Sequence, residues 1–206
     1  PLPTMQVTLV ATYQTAQEAI TAAQQIFRSD VVPLSLVYFD GASNKRMAAI
    51  EIKSKGLLAI RLGGRPRTLE RMVDECRTIC MGQDVLRLEV LPESQHVDFW
   101  QKLADFGWDE HTISDIVCRA MITPSKVAEL TNSLHFAEST NELQLSVISY
   151  PAHGTVLMCW NADETDTPTE RVRGIIQSAK SMVHEAGGRM VIERCPTNAK
   201  MGIDVW

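Results

Sequence analysis

The order of strand-like and helix-like segments repeats along the chain, and this repeat constrains the fold more than any other feature. Apolar side chains recur at every second residue in a half-buried strand and at every third or fourth residue in a helix. These periods predict strands at 5–13, 31–40, 47–56, 57–64 and 84–91, and helices at 15–30 and 65–82. They further predict strands at 114–122, 143–150, 154–161 and 188–195, and helices at 123–134 and 166–187.

Both halves of the chain therefore have the order β-α-β-β-α-β, with 47–56 and 57–64 taken together as one extended stretch. This order is that of the ferredoxin-like motif, an antiparallel sheet with helices packed on one face. Residue identity between the halves is low, so the prediction depends on the pattern of elements alone. The predicted fold class is α+β, with duplicated ferredoxin-like βαββαβ units.

Several helix boundaries carry the expected signals. Thr15 is a predicted N-cap, and Glu18 three residues later completes a capping box. Thr123 is a predicted N-cap followed by Pro124 at the first helical position, and Gly187 ends the last long helix.

The elements divide the chain into three parts. Residues 1–91 form the first half, 92–113 a helical connector and 114–206 the second half. Within the first half, DGASNKR at 40–46 is rich in turn-forming residues and is predicted to be a break between strands. The connector helix is predicted to bury four side chains, namely Phe99, Trp100, Leu103 and Phe106.

Composition limits the functional classes. The chain has 206 residues, of which 45% are hydrophobic and 22% charged, which is typical of a soluble globular protein. No apolar run approaches the roughly 18 residues of a transmembrane helix. The net charge is -5 and the basic residues are scattered, so we expect no nucleic-acid partner.

The five cysteines are odd in number and contain no CxxC pair. Cys76 and Cys80 are spaced to lie on one helix face, where they could bind a metal only if further ligands came from elsewhere. Buried, reduced thiols in a cytoplasmic protein are the expectation, with no metal site.

Four stretches resemble a known family. CRAMITPSKVAEL and RLGGRPRTLERM resemble strand-to-helix steps of FAD-linked oxidases of the vanillyl-alcohol oxidase type. EAGGRMVIERCPTNAKMGIDVW is similar to the tail of the glycolate oxidase FAD-binding subunit and its relatives. The opening PLP resembles the segment where such proteins leave their FAD-binding domain.

The resemblance implies that the chain is a C-terminal cap domain that covers the flavin ring and shapes a substrate pocket. FAD would be bound mainly by a domain preceding Pro1, which agrees with the lack of a GxGxxG motif or a P-loop here. The chain begins without Met and ends on Trp206, so we expect a piece of a longer protein. Full-length relatives oxidise 2-hydroxy acids such as glycolate or lactate, and partner subunits of an oxidase complex are expected.

A 2-hydroxy acid carries a carboxylate, which the planar guanidinium of Arg can bind through two hydrogen bonds. Arg119 interrupts an apolar strand and is the first candidate for substrate binding. Arg61 occupies a comparable place in the first half, and Arg194 ends the last strand. Each of these side chains could instead lie on the solvated face of a sheet with no function.

His153 lies in a short turn between two strands and is the candidate catalytic residue. Histidine accepts a proton readily near neutral pH, although turn histidines frequently have no role.

An alternative function of the chain is also open from the sequence. Duplicated ferredoxin-like units serve as non-enzymatic ligand-sensing or dimerisation modules.

Overall fold

The computed structural model describes residues 5–47, 56–108, 110, 114–138, 143–161, 169–200 and 203. Within these residues the strands are β1 (Met5–Tyr13), β2 (Ser35–Asp40), β3 (Gly56–Gly64), β4 (Arg87–Val90), β5 (Ile116–Met121), β6 (Gln144–Tyr150), β7 (Thr155–Asn161) and β8 (Arg189–Arg194). The α-helices are α1 (Ala16–Arg28), α2 (Gly41–Met47), α3 (Pro66–Met81), α4 (Glu93–Ala104), α5 (Val127–Glu138), α6 (Thr169–Glu185) and α7 (Thr197–Lys200).

The eight strands form one antiparallel sheet in the order β4-β1-β3-β2-β6-β7-β5-β8. Each half contributes four neighbouring strands in the same order, with its first strand between its third and fourth. The halves meet where β2 pairs with β6 through Tyr38 and Ser149 and through Phe39 and Ile148. The predicted fold class of duplicated βαββαβ units is confirmed, and the two units share one continuous sheet.

Helices α1, α3, α5 and α6 pack on one face of the sheet, which we call the helix face. Their apolar stripes meet inward strand residues such as Leu9, Ile60 and Val147, which are fully buried. The predicted capping box of α1 is confirmed. The Glu18 N–H donates to Thr15 Oγ1 at 3.3 Å, and the Thr15 N–H donates to Glu18 Oε2 at 3.0 Å.

A second apolar cluster lies on the opposite face, which we call the outer face. Helix α4, the predicted connector helix, contributes buried Phe99 and Leu103 to this cluster, and Phe106 follows just beyond it. Trp100 packs against the cluster but is only half-buried. The strands contribute Val10, Val37, Phe39, Leu57, Ala59, Val117, Ile148, Leu157 and Cys159.

One local prediction is wrong. The expected turn-rich break at 40–46 is largely helix α2. This helix begins after Asp40 because the Asp40 Oδ1 accepts the Ser43 N–H at 2.6 Å, in the manner of an N-cap. Thr123 is the N-cap with Pro124 directly after it, as predicted, although the Thr123 side chain makes no capping hydrogen bond and the first turn, Pro124–Lys126, is a 3₁₀ turn. The predicted strand at 47–56 lies almost entirely outside the described residues, and the division at 91 and 114 stays a prediction.

All five cysteines are buried and free. The described residues contain no group of three or more His, Cys, Asp and Glu side chains arranged to bind a metal ion. Across the same described ranges, no helix combines the length and the apolar character that crossing a membrane would require. A cytoplasmic location and the lack of a nucleic-acid partner stay predictions.

Candidate functional site

The two halves of the sheet differ on the outer face. Helices α2 and α4 cover it mainly over strands β1, β2, β3 and β6. Toward β5 and β8 the same face carries half-buried polar side chains, which are Arg119, Tyr150, Glu193 and Arg194. We call these four residues the Arg119 cluster and treat it as the candidate site.

Arg119 lies on β5 with its side chain on the outer face. Its cross-strand partner on β7 is Leu157, a member of the outer-face cluster, and directly paired residues share a face. Its side chain is 38% exposed, so the guanidinium is partly desolvated and still accessible.

Glu193 binds Arg119 from the neighbouring strand. Arg119 Nε donates to Glu193 Oε1 at 2.5 Å, and Arg119 Nη2 donates to Oε2 at 3.3 Å. The Glu193 side chain is 24% exposed. The hydrogen bond to Glu193, followed by its charge, raises the pKa of Arg119 above the ordinary value, although burial opposes this. Arg119 is therefore a permanent cation with one side held in place.

A β-bulge places Glu193 in this position. Val117 pairs with Arg194, but the next residue, Cys118, pairs with Ile192, so Glu193 is the extra residue of β8. A bulge interrupts the regular alternation of a strand and redirects a side chain. The Arg194 side chain also reaches the outer face, where its Cζ lies 5.7 Å from the ring centroid of Trp108.

Tyr150 ends β6 and completes the cluster. It packs against the outer-face apolar cluster and interacts electrostatically with Arg119. Burial raises the pKa of Tyr150, and the positive charge of Arg119 lowers it only in part. The phenol is therefore protonated at neutral pH and can donate a hydrogen bond.

Sequence reasoning missed Tyr150. Its signal was its place at the last position of an apolar strand, directly before the turn that contains His153. The link between Tyr150 and Arg119 depends on the order of three strands in the sheet, which the local pattern does not contain.

Arg61 lies on the same face but in the first half. Strand β3 is four strands away from β5, or about 19 Å at the usual strand spacing. Arg61 Nε donates to Gln6 Oε1 at 2.9 Å, and its Cζ lies 5.3 Å from the ring centroid of Trp100 on α4. The structure therefore does not bring Arg61 into the Arg119 cluster.

The contacts of Arg61 continue into a chain of hydrogen bonds that joins α4 to β1. Trp100 Nε1 donates to Thr8 Oγ1 at 2.8 Å, so the Thr8 hydroxyl can donate to His96 Nδ1, also at 2.8 Å. His96 Nε2 is then the protonated nitrogen and donates to Gln6 Oε1 at 3.3 Å. Burial and the charge of Arg61 lower the pKa of His96, which agrees with this neutral form. This network explains Arg61 as a residue that holds α4 on the sheet.

His153 is exposed in the turn between β6 and β7, three residues after Tyr150. Its ring lies edge-on to Phe27 of α1, with the centroids 6.1 Å apart, and α1 belongs to the helix face. Of the four predicted site residues, the structure thus places Arg119 and Arg194 together. A catalytic role for His153 stays a prediction.

The Arg119 cluster can bind one anionic group. A guanidinium has five N–H donors, and the two hydrogen bonds to Glu193 use two of them. The donors on Nη1 and the second donor on Nη2 can bind both oxygens of a carboxylate. The Tyr150 hydroxyl adds a neutral donor in the same area.

Comparison with solved structures reveals the same fold in several enzymes. One is p-cresol methylhydroxylase with substrate bound, 11% identical, with a TM-score of 0.70 over 96% of this chain and 46% of that chain. Another is 4-ethylphenol oxidase from Gulosibacter chungangensis in complex with isoeugenol, 9% identical, with a TM-score of 0.63 over 95% and 46%. A third is alkyldihydroxyacetonephosphate synthase, 14% identical, with a TM-score of 0.58 over 91% and 39%.

The chain thus spans less than half the length of these proteins, and at such low identities the likeness is one of fold. No protein-family model matches the chain, and no curated protein matches it either.

Proposed function

We propose that this chain is the C-terminal cap and substrate-binding part of an FAD-dependent oxidoreductase. The observation that carries the proposal is the fold. The duplicated eight-stranded sheet aligns over 95% or more of the chain with a hydroxylase and an oxidase. The resemblance of CRAMITPSKVAEL and of the C-terminal stretch to FAD-linked oxidases of the vanillyl-alcohol oxidase type supports the same proposal.

The described residues suit a cap better than a complete FAD site. The sequence contains no glycine-rich motif for the pyrophosphate, so a preceding domain would bind most of the cofactor. The outer face around Arg119 and Tyr150 would turn toward the flavin, because α2 and α4 cover the outer face mainly over β1, β2, β3 and β6. Bound FAD would supply the hydride acceptor that converts a hydroxyl group to a carbonyl group.

The proposed substrate is a 2-hydroxy acid such as glycolate or lactate. Arg119 would bind its carboxylate through the Nη1 and Nη2 donors, and protonated Tyr150 would donate to an oxygen of the same molecule. The support is the partly exposed cation of Arg119 and the protonated phenol of Tyr150, which lie on the same face of the sheet and interact electrostatically. Similarity to the glycolate oxidase FAD-binding subunit and assembly with partner subunits belong to the same proposal.

The test is to produce the full-length protein and record its visible absorption spectrum before and after anaerobic addition of glycolate or lactate. The proposal predicts a yellow protein whose flavin absorption bleaches. A protein that stays colourless after reconstitution with FAD would contradict the flavin assignment and favour the non-enzymatic ligand-sensing or dimerisation module. A yellow protein that neither acid bleaches would contradict the 2-hydroxy acid alone.

A further inference from the structure

Glu193 occupies only one side of the Arg119 guanidinium. A guanidinium offers a carboxylate two edges, one formed by Nε with Nη2 and one formed by Nη1 with Nη2. Glu193 is bound at the first edge, through Nε and Nη2. Within the described part of the chain no other residue hydrogen-bonds the second edge, which can therefore take a ligand while Glu193 stays in place.

The position of Glu193 is fixed by the backbone. It is the extra residue of the bulge in β8, and both flanking residues pair with β5. The carboxylate is three-quarters buried, so water screens its charge less than it screens a surface residue. A ligand on Arg119 therefore meets a neutral ion pair with a fixed negative charge on one side.

This arrangement distinguishes ligands by their charge. A monocarboxylate at the free edge of Arg119 adds one negative charge next to Glu193, and the rest of the molecule is uncharged. A dicarboxylate brings a second negative charge close to Glu193, and like charges at close range in a partly desolvated site are unfavourable. The second nearby cation, Arg194, lies over the ring of Trp108.

We propose that Glu193 sets the charge class of the substrate, so that the site accepts monocarboxylates and rejects dicarboxylates. The proposal rests on the proposed function, because it takes Arg119 as the residue that binds the substrate carboxylate. Glu193 acts here as a specificity residue through Arg119 and through its own charge.

Lactate and tartronate are the matched probes, because tartronate replaces the methyl group of lactate with a second carboxylate. Isothermal titration of the full-length protein should give tighter binding of lactate than of tartronate. In Glu193→Gln the ratio of the two dissociation constants should shift toward tartronate by about fivefold to tenfold. Added salt should reduce the difference in the unaltered protein.

Two further variants complete the experiment. Glu75→Gln removes the same charge from an exposed pair with Arg71 on α3 and should leave the ratio unchanged. Glu193→Asp keeps the charge and should keep the preference for lactate, which gives a readout if the Gln variant folds poorly.

An unchanged ratio in a folded Glu193→Gln protein would overturn the proposal. Failure of the unaltered protein to bind lactate, or tartronate preference in Glu193→Asp, would overturn it equally. The titrations are made without oxygen on protein whose flavin has been reduced with dithionite, so that lactate binds without being oxidised. The flavin assignment is decided by the absorption spectrum, so the two proposals can fail separately.

Discussion

Arg119 and Glu193 lie on the neighbouring strands β5 and β8, and a bulge in β8 makes Glu193 the unpaired residue that holds the Arg119 guanidinium through two hydrogen bonds. The pair lies on the outer face, beyond the part that α2 and α4 cover. Glu193 takes the edge formed by Nε and Nη2, and among the described residues none bonds the edge formed by Nη1 and Nη2, which can bind a carboxylate.

Replacing His153 tests the role predicted from the sequence. Because its ring contacts Phe27 on the helix side, we expect His153→Ala to change kcat/KM for lactate less than threefold, roughly the effect of an exposed side chain without a role. The measurement is steady-state oxidation by the full-length enzyme. A loss on the order of a hundredfold, which is typical for removal of a general base, would instead assign the catalytic role to His153.

Gly154 and Gly174 should respond to alanine in opposite directions. Gly154 has a φ of +70°, and an added Cβ would lie 1.9 Å from the carbonyl oxygen of Ile122. We expect Gly154→Ala to lower the free energy of unfolding by more than about 3 kcal/mol. Gly174 lies within α6, and no atom lies within 4 Å of an added Cβ. Gly174→Ala should therefore raise the free energy of unfolding by about 0.5–1 kcal/mol.

Urea denaturation of both glycine variants provides the measurement. If both substitutions change the free energy of unfolding equally, the β6–β7 turn does not pack closely against the end of β5.

The network at His96 predicts a loss of stability in acid. Burial and the charge of Arg61 lower the pKa of His96, while Glu93 opposes them. Below the ordinary value of 6.5 the unfolded chain binds a proton that the folded chain does not bind, so stability falls as the pH drops from 6.5 toward the lowered folded pKa. His96→Gln should flatten this part of the profile.

The measurement is thermal unfolding from neutral to mildly acidic pH, with His184→Gln on α6 as the matched control. A profile that keeps its slope in His96→Gln would contradict the assignment of a neutral His96.

The buried carboxyl group of Asp40 should give the opposite dependence of stability on pH. It is buried at the junction of the halves, where Oδ1 accepts the Ser43 N–H and Oδ2 accepts the Val147 N–H at 2.8 Å. Burial raises the pKa of Asp40 despite these bonds and despite the nearby His135. The folded state then holds a proton that the unfolded chain has lost, so this contribution to stability decreases as the pH rises from 3.8 through the raised folded pKa.

The stability difference between the unaltered protein and Asp40→Asn should therefore shrink with rising pH, measured by urea denaturation at several pH values. Asp74→Asn, at an exposed position on α3, is the control variant. If the stability difference grows with pH, the hydrogen bonds to Asp40 lower its pKa by more than burial raises it.

The repeat of elements was predictable because each long element carries its own period and its own end signals, as the capping box at Thr15 illustrates. Helix α2 was missed because seven residues are too few to establish a helical period, and its one signal is the spacing of Asp40 and Ser43. The joining of the halves through β2 and β6 depends on which strand edges meet, which no local pattern specifies.

The same reasoning applies to the site. Arg119 could be singled out because a charge interrupts an apolar strand. Its neighbours could not, because Glu193 binds it through a bulge that exists only when β8 pairs with β5, and Tyr150 is separated from it in the sheet by β7. Arg61 looked equivalent in sequence, yet the packing of Trp100 from α4 gives it a different set of contacts.

The most direct test of whether Arg119 binds the substrate carboxylate is anaerobic reduction of the bound flavin by lactate. The comparison is between the full-length protein and its Arg119→Met variant. We expect both proteins to be yellow and lactate to bleach the unaltered protein. The variant should need about a hundredfold more lactate, because the cation that binds the carboxylate through two hydrogen bonds is gone. Arg77→Met, at an exposed pair on α3, should behave like the unaltered protein. If the lactate concentration that reduces the flavin of the unaltered protein also reduces that of Arg119→Met, Arg119 does not bind the substrate carboxylate.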